Sequence, residues 1–327
     1  MKQVAAVQAR VDVRDYLSEE TFRRKIYRLL EQVRDKADPD EKIPLLVAFP
    51  EDIGTPCAFL GETELIRREQ TLAGAIGYLM RRRFWPALFK RLRHRVGWVR
   101  ALFLLQADLI ARTYISVFAR AARDFRAYIV AGSTTLPDLD GNDRAEVYNV
   151  AYVFDPHGRV IGRQRKVHLI ELEARGLDLS PAPLEQLHPI STSLGEIGVA
   201  ICYDGFFTDV RNHLRAQGAE ILVQPSANPG IWTPEQQLDW LNGAWTATLT
   251  EGEESTSRFQ LAINPMLVGR LFDLEFQGQS AIIAAHGAQA RKAERHLPGY
   301  QACPDRPGFL AVAPSPTEEC VLVTRIA

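Results

Sequence analysis

A cysteine, a lysine and a glutamate each stand at the end of a strand-like stretch, and together those side chains could carry out acyl transfer. Gly198-Val199-Ala200-Ile201 has the character of a buried strand and ends at Cys202, followed at once by Tyr203-Asp204-Gly205. A strand ending in a sharp turn brings a thiol to a cleft and lets the next backbone N–H face the same point. Leu45-Leu46-Val47-Ala48-Phe49-Pro50 runs into Glu51, and Val160-Ile161-Gly162-Arg163-Gln164-Arg165 runs into Lys166. A thiol supplies a nucleophile, a carboxylate a base, and an ammonium a stabiliser of developing negative charge, which are the parts of an acyl-transfer site. Each residue alone has a plainer reading: a small buried hydrophobe, a turn glutamate, a solvated strand end. The matched roles favour chemistry.

These residues need elements to hold them. Val4 to Val11 reads as a buried first strand, and Ser18-Glu19-Glu20 opens a helix whose Phe22, Ile26, Leu29, Leu30 and Val33 share one face. Strands are expected at 126–131, at 148–154 with a turn at Asp155-Pro156-His157-Gly158, and on to Lys166, the last two as a hairpin. After Cys202 come a helix over about 208–217 closed by Gly218, a strand at 221–224, and a helix opened by Thr233-Pro234 with Leu238, Leu241, Trp245 and Leu249 as its inner stripe. Strand patterns recur at 259–264, 280–284, 308–312 and 320–326, with a turn at His286-Gly287. Strands alternate with helices but hairpins interrupt them, so the class is α/β with mixed sheets layered against helices.

At 327 residues the chain is long enough for two domains, but no change of composition divides it. It is read as one domain with a helical insertion at about 61–125 and a C-terminal tail from about 288. The formal net charge of −1 gives no general reason to expect nucleic acid. Cys57, Cys202, Cys303 and Cys320 lie far apart with no C-x-x-C pair, which speaks for a reducing, cytoplasmic setting and against a zinc ribbon. The first residues enter a strand without the apolar stretch of a signal peptide, and no segment reads as long and uncharged enough to cross a bilayer. His168 near Glu171 is better read as a packed residue beside Lys166 than as a metal ligand, because the seven histidines form no H-x-x-x-H. No cofactor or metal is expected.

The stretch from Arg81 to Arg100 is basic and contains no acid. Trp85, Leu88, Phe89, Leu92, Val96 and Val99 fall along one side of a helical projection. A lid or oligomer-contact helix pair is the first reading, and contact with a membrane surface or an anionic ligand through 81–100 a weaker alternative. A nucleic-acid patch has no binding module to support it.

With these motifs in place, the chain resembles the nitrilase superfamily of carbon–nitrogen hydrolases. Phe49-Pro50-Glu51 is similar to the family's glutamate motif, Arg165-Lys166-Val167-His168-Leu169 to its lysine motif, and Gly198 to Asp204 to its cysteine elbow. Asn264-Pro265 and Gln277-Gly278-Gln279-Ser280 are similar to its later segments. The resemblance implies a four-layer α/β/β/α sandwich of two mixed sheets with outer helices, and dimers formed by packing helices across a two-fold axis. It implies a second glutamate shortly after the lysine, placed at Glu173 with Glu171 as the rival. Tyr203-Asp204 after the cysteine, where true nitrilases often have Trp-Glu, points to the amidase and carbamoylase branches. The implied activity is hydrolysis of a linear amide or N-carbamoyl compound through a Cys202 thioester, with Glu51 as base, Lys166 as oxyanion stabiliser and the Tyr203 N–H as second donor. Alternatives are nitrile hydrolysis, N-acyl transfer, or a non-catalytic binding scaffold. Tyr203, Phe206, Phe207, Asn228, Trp232 and Met266 are the candidate substrate contacts, since they follow the elbow or strand ends.

Overall fold

The computed structural model describes residues 1–40, 42–139, 145–245, 259–284 and 308–326. Leu249, the His286-Gly287 turn and Cys303 lie outside them. In chain order the strands are β1 (Lys2–Asp12), β2 (Leu45–Ala48), β3 (Tyr128–Val130), β4 (Thr134–Pro137), β5 (Val147–Phe154), β6 (Val160–Arg165), β7 (Ile190–Thr192) and β8 (Gly195–Val199). They continue as β9 (Ile221–Val223), β10 (Ser226–Ala227), β11 (Leu261–Asn264), β12 (Met266–Leu271), β13 (Leu274–Phe276), β14 (Ala281–Ala284), β15 (Gly308–Val312) and β16 (Cys320–Ile326). The helices are α1 (Glu19–Lys36), α2 (Thr63–Arg68), α3 (Leu72–Arg82), α4 (Phe84–His94), α5 (Trp98–Asp124), α6 (Thr208–Ala216) and α7 (Pro234–Trp240).

Two mixed sheets form. One runs β10-β12-β1-β2-β3-β5-β4, with β13, β16 and β6 attached; the other runs β15-β14-β11-β9-β8-β7. The long β1 serves two neighbours on one side: its first seven residues pair antiparallel with β16, and its last four pair parallel with β12. Alternation along the strands decides what each sheet faces, because successive side chains point to opposite sides. Ala5, Val7, Ala9, Val47 and Phe49 join Phe22, Ile26, Tyr114 and Phe118 of α1 and α5 in one core. Val4, Ala6, Leu46 and Ala48 join Ile197, Val199, Leu222 and Ile263 of the second sheet in another. The sheets therefore face each other and the helices lie outside, an α/β/β/α arrangement.

Helix α1 begins where expected. The Ser18 hydroxyl accepts the Thr21 N–H and the Thr21 hydroxyl receives the Ser18 N–H, a capping box. Two expectations need correction. Helix α7 stops at Trp240 and widens into a π turn over Leu241–Trp245, so Leu238 leaves the stripe and is exposed while Leu241 and Trp245 stay buried. Helix α5, at 27 residues, is long and apolar enough to cross a membrane by length and composition, contrary to the sequence reading. Its apolar side chains are instead buried against α1, β4 and β5, so it is a core helix.

Candidate active site

The site is built from strand ends: Glu51 and Lys166 follow β2 and β6 of one sheet, and Cys202 follows β8 of the sheet that faces it. β2 delivers Phe49, whose ring packs edge-on against Phe118 at 5.1 Å, and the chain then turns at Pro50 to present Glu51. Gly132 makes that turn possible: its φ is +68° and a Cβ there would lie 2.0 Å from the Pro50 carbonyl oxygen. Glu51 is 2% exposed. Its Oε1 accepts from Lys166 Nζ at 2.7 Å and from Asn149 Nδ2 at 2.9 Å, and its Oε2 from the Ala227 N–H at 3.0 Å.

Lys166 leaves β6 with its N–H on the Asn149 carbonyl at 2.9 Å and is 1% exposed. Its Nζ donates to Glu51 Oε1 and to Glu173 Oε2, both at 2.7 Å. Glu173 stands in a π turn after Glu171 and is fixed by the Ile170 N–H at 3.0 Å and by Asn149 Nδ2 at 2.7 Å. Glu171, the rival, points away and pairs with Arg175 at 3.1 Å. An ammonium has three protons to donate, and two are spent on these carboxylates. Among the described residues nothing accepts the third.

Cys202 follows β8 of the other sheet, and its φ of +49° marks a strained elbow. The Cys202 N–H donates to the Pro225 carbonyl at 2.8 Å, and its carbonyl accepts from Gln224 Nε2 at 2.8 Å, so the end of β9 clamps the turn. Gly205 leaves room for that clamp, since a Cβ there would lie 2.1 Å from Gln224 Nε2. The sulfur sits 3.8 Å from the Ala227 carbonyl. The elbow and the lysine are tied together by Asp204, which is buried and accepts the His168 N–H at 2.7 Å and the Val167 N–H at 3.2 Å.

Burial and mutual charge set the proton positions. Burial, opposed by Lys166 and reinforced by Glu173, pushes Glu51 up to about 8. Burial first and the Glu51 charge second hold the Cys202 thiol well above its usual range, while Lys166 pulls it down. Lys166 lies above its ordinary value despite burial, because Glu51 and Glu173 both favour the ammonium. Burial also raises Asp204 to about 6, against the pull of its two N–H donors.

Cys202 opens onto a cleft of about 600 Å³ that Tyr203, Phe206 and Asn228 help to line. The other expected contacts lie elsewhere. Phe207 is stacked on the His168 ring at 3.8 Å, and His168 Nε2 in turn meets Asp209 at 3.1 Å. Trp232 donates its Nε1 to Gln279 at 3.1 Å and packs near Trp240 and Trp245. Met266 is fully buried as the first residue of β12. A second, mostly apolar cavity of about 80 Å³ borders Glu51 and Glu173 and shares Ile170, Ala227 and Pro229 with the cleft. Leu72 and Ile76 of α3 and Phe103 of α5 form part of its wall.

A family model for carbon–nitrogen hydrolases matches residues 4–296. The chain belongs to the carbon–nitrogen hydrolase family. Among relatives of this hydrolase, the omega-amidase NIT3 of Saccharomyces cerevisiae is 31% identical over 133 residues, 39% of this chain and 44% of that protein. The deaminated glutathione amidase of Bos taurus is 28% identical over 179 residues, 52% of this chain and 51% of that one. The chain spans about half the length of the curated relatives it matches. A carbon–nitrogen hydrolase from Helicobacter pylori G27 superposes with a TM-score of 0.62 at 20% identity, over 98% of this chain and 87% of that one. Saccharomyces cerevisiae Nit3, of the nitrilase superfamily, gives 0.59 at 17% identity, over 98% and 89%. At these identities the likeness shows the fold.

Sequence reasoning missed two residues of this hydrolase's site. Asn149 bridges both carboxylates, and its one signal was an amide inside the apolar run Val147 to Phe154. Asp204 was noted only as part of the elbow motif, although its full burial and two backbone donors make it the strut between Lys166 and Cys202.

Proposed function

We propose that this chain is a thiol amidohydrolase that cleaves a small-molecule linear amide through a thioester on Cys202. The observation that carries this is the third, unspent proton of Lys166 Nζ, held by Glu51 and Glu173 at 2.7 Å each beside the Cys202 elbow. An N-carbamoyl compound presents the same carbonyl and leaving nitrogen.

The reaction follows from the groups present. As the amide carbonyl enters, Glu51 takes the thiol proton and the thiolate adds to the carbonyl carbon. The oxygen becomes an oxyanion and accepts hydrogen bonds from the third N–H of the Lys166 ammonium and from the Tyr203 N–H; one such donor lowers the barrier by about 3 kcal/mol. Glu51 passes its proton to the nitrogen, the C–N bond breaks, and ammonia or an amine leaves a thioester. Water then gives a proton to Glu51 and its hydroxyl to the thioester carbon. Collapse of that intermediate breaks the C–S bond, releases the acid and returns the proton to sulfur. A raised Glu51 suits this work, because a base that ionises near neutral pH both accepts and releases a proton readily.

The relatives named omega-amidase and deaminated glutathione amidase support amide substrates over nitriles. The test is release of ammonia from a panel of amides, carbamoyl compounds and nitriles by the wild type and by Cys202→Ala. Turnover of amides that vanishes in the variant supports the proposal; a variant that keeps its rate overturns it. A homodimer built by helix packing remains part of the proposal.

A further inference from the structure

Helix α4 turns its apolar side outward. Trp85, Phe89 and Leu92, at i, i+4 and i+7 on one face, are 75%, 62% and 64% exposed. Phe84 beside them is 40% exposed and braces the stripe, edge-on to Trp85 at 5.3 Å and stacked on Trp98 at 5.6 Å. The inward side buries only Ala87 completely. The helix is held by other means: Arg91 lies over the Trp98 ring at 5.0 Å and Arg83 pairs with Glu62 at 2.9 Å. A contiguous exposed patch of large apolar side chains marks a surface that meets something.

Charge decides what it meets. Residues 70–107 contain eight Arg and Lys and no Asp or Glu. Arg81, Arg82 and Arg83 are answered by Glu62 and Glu69. Lys90, Arg93 and Arg95 make no ion pair with any described residue. A second copy docked on this face by a two-fold axis would set those cations against their own images, with no acid on the stretch to answer them. An anionic bilayer accepts both features, aromatic and aliphatic side chains at the headgroup boundary and cations on lipid phosphates. We propose that α4 docks this protein onto an anionic lipid surface, with Trp85, Phe89 and Leu92 inserted and Lys90, Arg93 and Arg95 on the phosphates. Docking requires no catalysis, so its failure leaves the hydrolase reading untouched.

Co-sedimentation of the full chain with vesicles tests it. Pelleting is expected with phosphatidylcholine–phosphatidylglycerol vesicles and not with phosphatidylcholine alone, and added salt should release the protein. The triple variant Trp85→Ser, Phe89→Ser, Leu92→Ser should stay in the supernatant while keeping the wild-type thermal melt, since all three side chains are exposed. Lys90→Ala and Arg93→Ala should each weaken partitioning about fivefold. A wild type that stays in the supernatant with anionic vesicles at low salt overturns the proposal, as does a triple variant that pellets equally well. So does light scattering that shows a dimer split by the triple variant with no vesicle binding, which would make this face a contact between copies.

Discussion

Replacing Glu173 by glutamine keeps the shape of the side chain and removes an acceptor, and its consequences can be worked out bond by bond. The carboxylate takes three hydrogen bonds: Lys166 Nζ at 2.7 Å and the Ile170 N–H at 3.0 Å on Oε2, Asn149 Nδ2 at 2.7 Å on Oε1. A glutamine has one acceptor oxygen. If that oxygen stays with Lys166 and Ile170, its NH2 faces the NH2 of Asn149, and an unpartnered buried donor costs about 1–3 kcal/mol. If Asn149 turns over to accept instead, its NH2 leaves Glu51, which it holds at 2.9 Å. Either way Lys166 and Glu51 lose their aim. Losing one oriented oxyanion donor lowers kcat about 10²–10³-fold, and Glu173→Gln is expected to fall in that range.

The pH profile is the sharper part of the same prediction. The Glu173 charge helps to hold Glu51 up at about 8, so removing it lets Glu51 ionise at lower pH. The acidic limb of kcat/KM, which reports the base in the free enzyme, should move down. Steady-state rates across the acid-to-alkaline range measure both effects. A variant with wild-type kcat, or one whose limb stays in place or moves up, refutes the bridging role given to Glu173.

Two further outcomes follow from the supports. Asp204→Ala leaves the Val167 and His168 N–H groups without their buried acceptor, so stability should fall by about 2–4 kcal/mol, read by denaturant melts, with a loss of kcat larger than any change in KM. Gly132→Ala places a methyl against the Pro50 carbonyl at a φ of +68°. A drop of about 1–3 kcal/mol in stability with reduced turnover is expected, and unchanged values for either variant would show that the loop yields freely.

Glu51 and Cys202 were legible because each ends an apolar run, which leaves a mark in one dimension, and Lys166 because it closes the second strand of a hairpin whose turn at 155–158 is plain in the sequence. Asn149 left little mark, since it sits inside a strand and gains its meaning from two carboxylates that arrive from residues 51 and 173. The two-residue β10 and three-residue β7 and β13 are too short for alternation to declare them. Helical periodicity grouped Trp85, Phe89 and Leu92 on one face but could not say that the face points outward, because neighbours in space fix that choice. The same limit separated Tyr203, Phe206 and Asn228, which reach the cleft, from Phe207, Trp232 and Met266, which pack beside or beneath it.

Whether Cys202 carries the acyl group during turnover is open to direct weighing. Intact-mass analysis of the enzyme quenched while it consumes a simple amide should show a species heavier by the amide less ammonia. Peptide mapping should place the added mass on Cys202, and buried Cys57 should remain unmodified. Turnover that proceeds with no adduct at Cys202, and at full rate in Cys202→Ala, would contradict it.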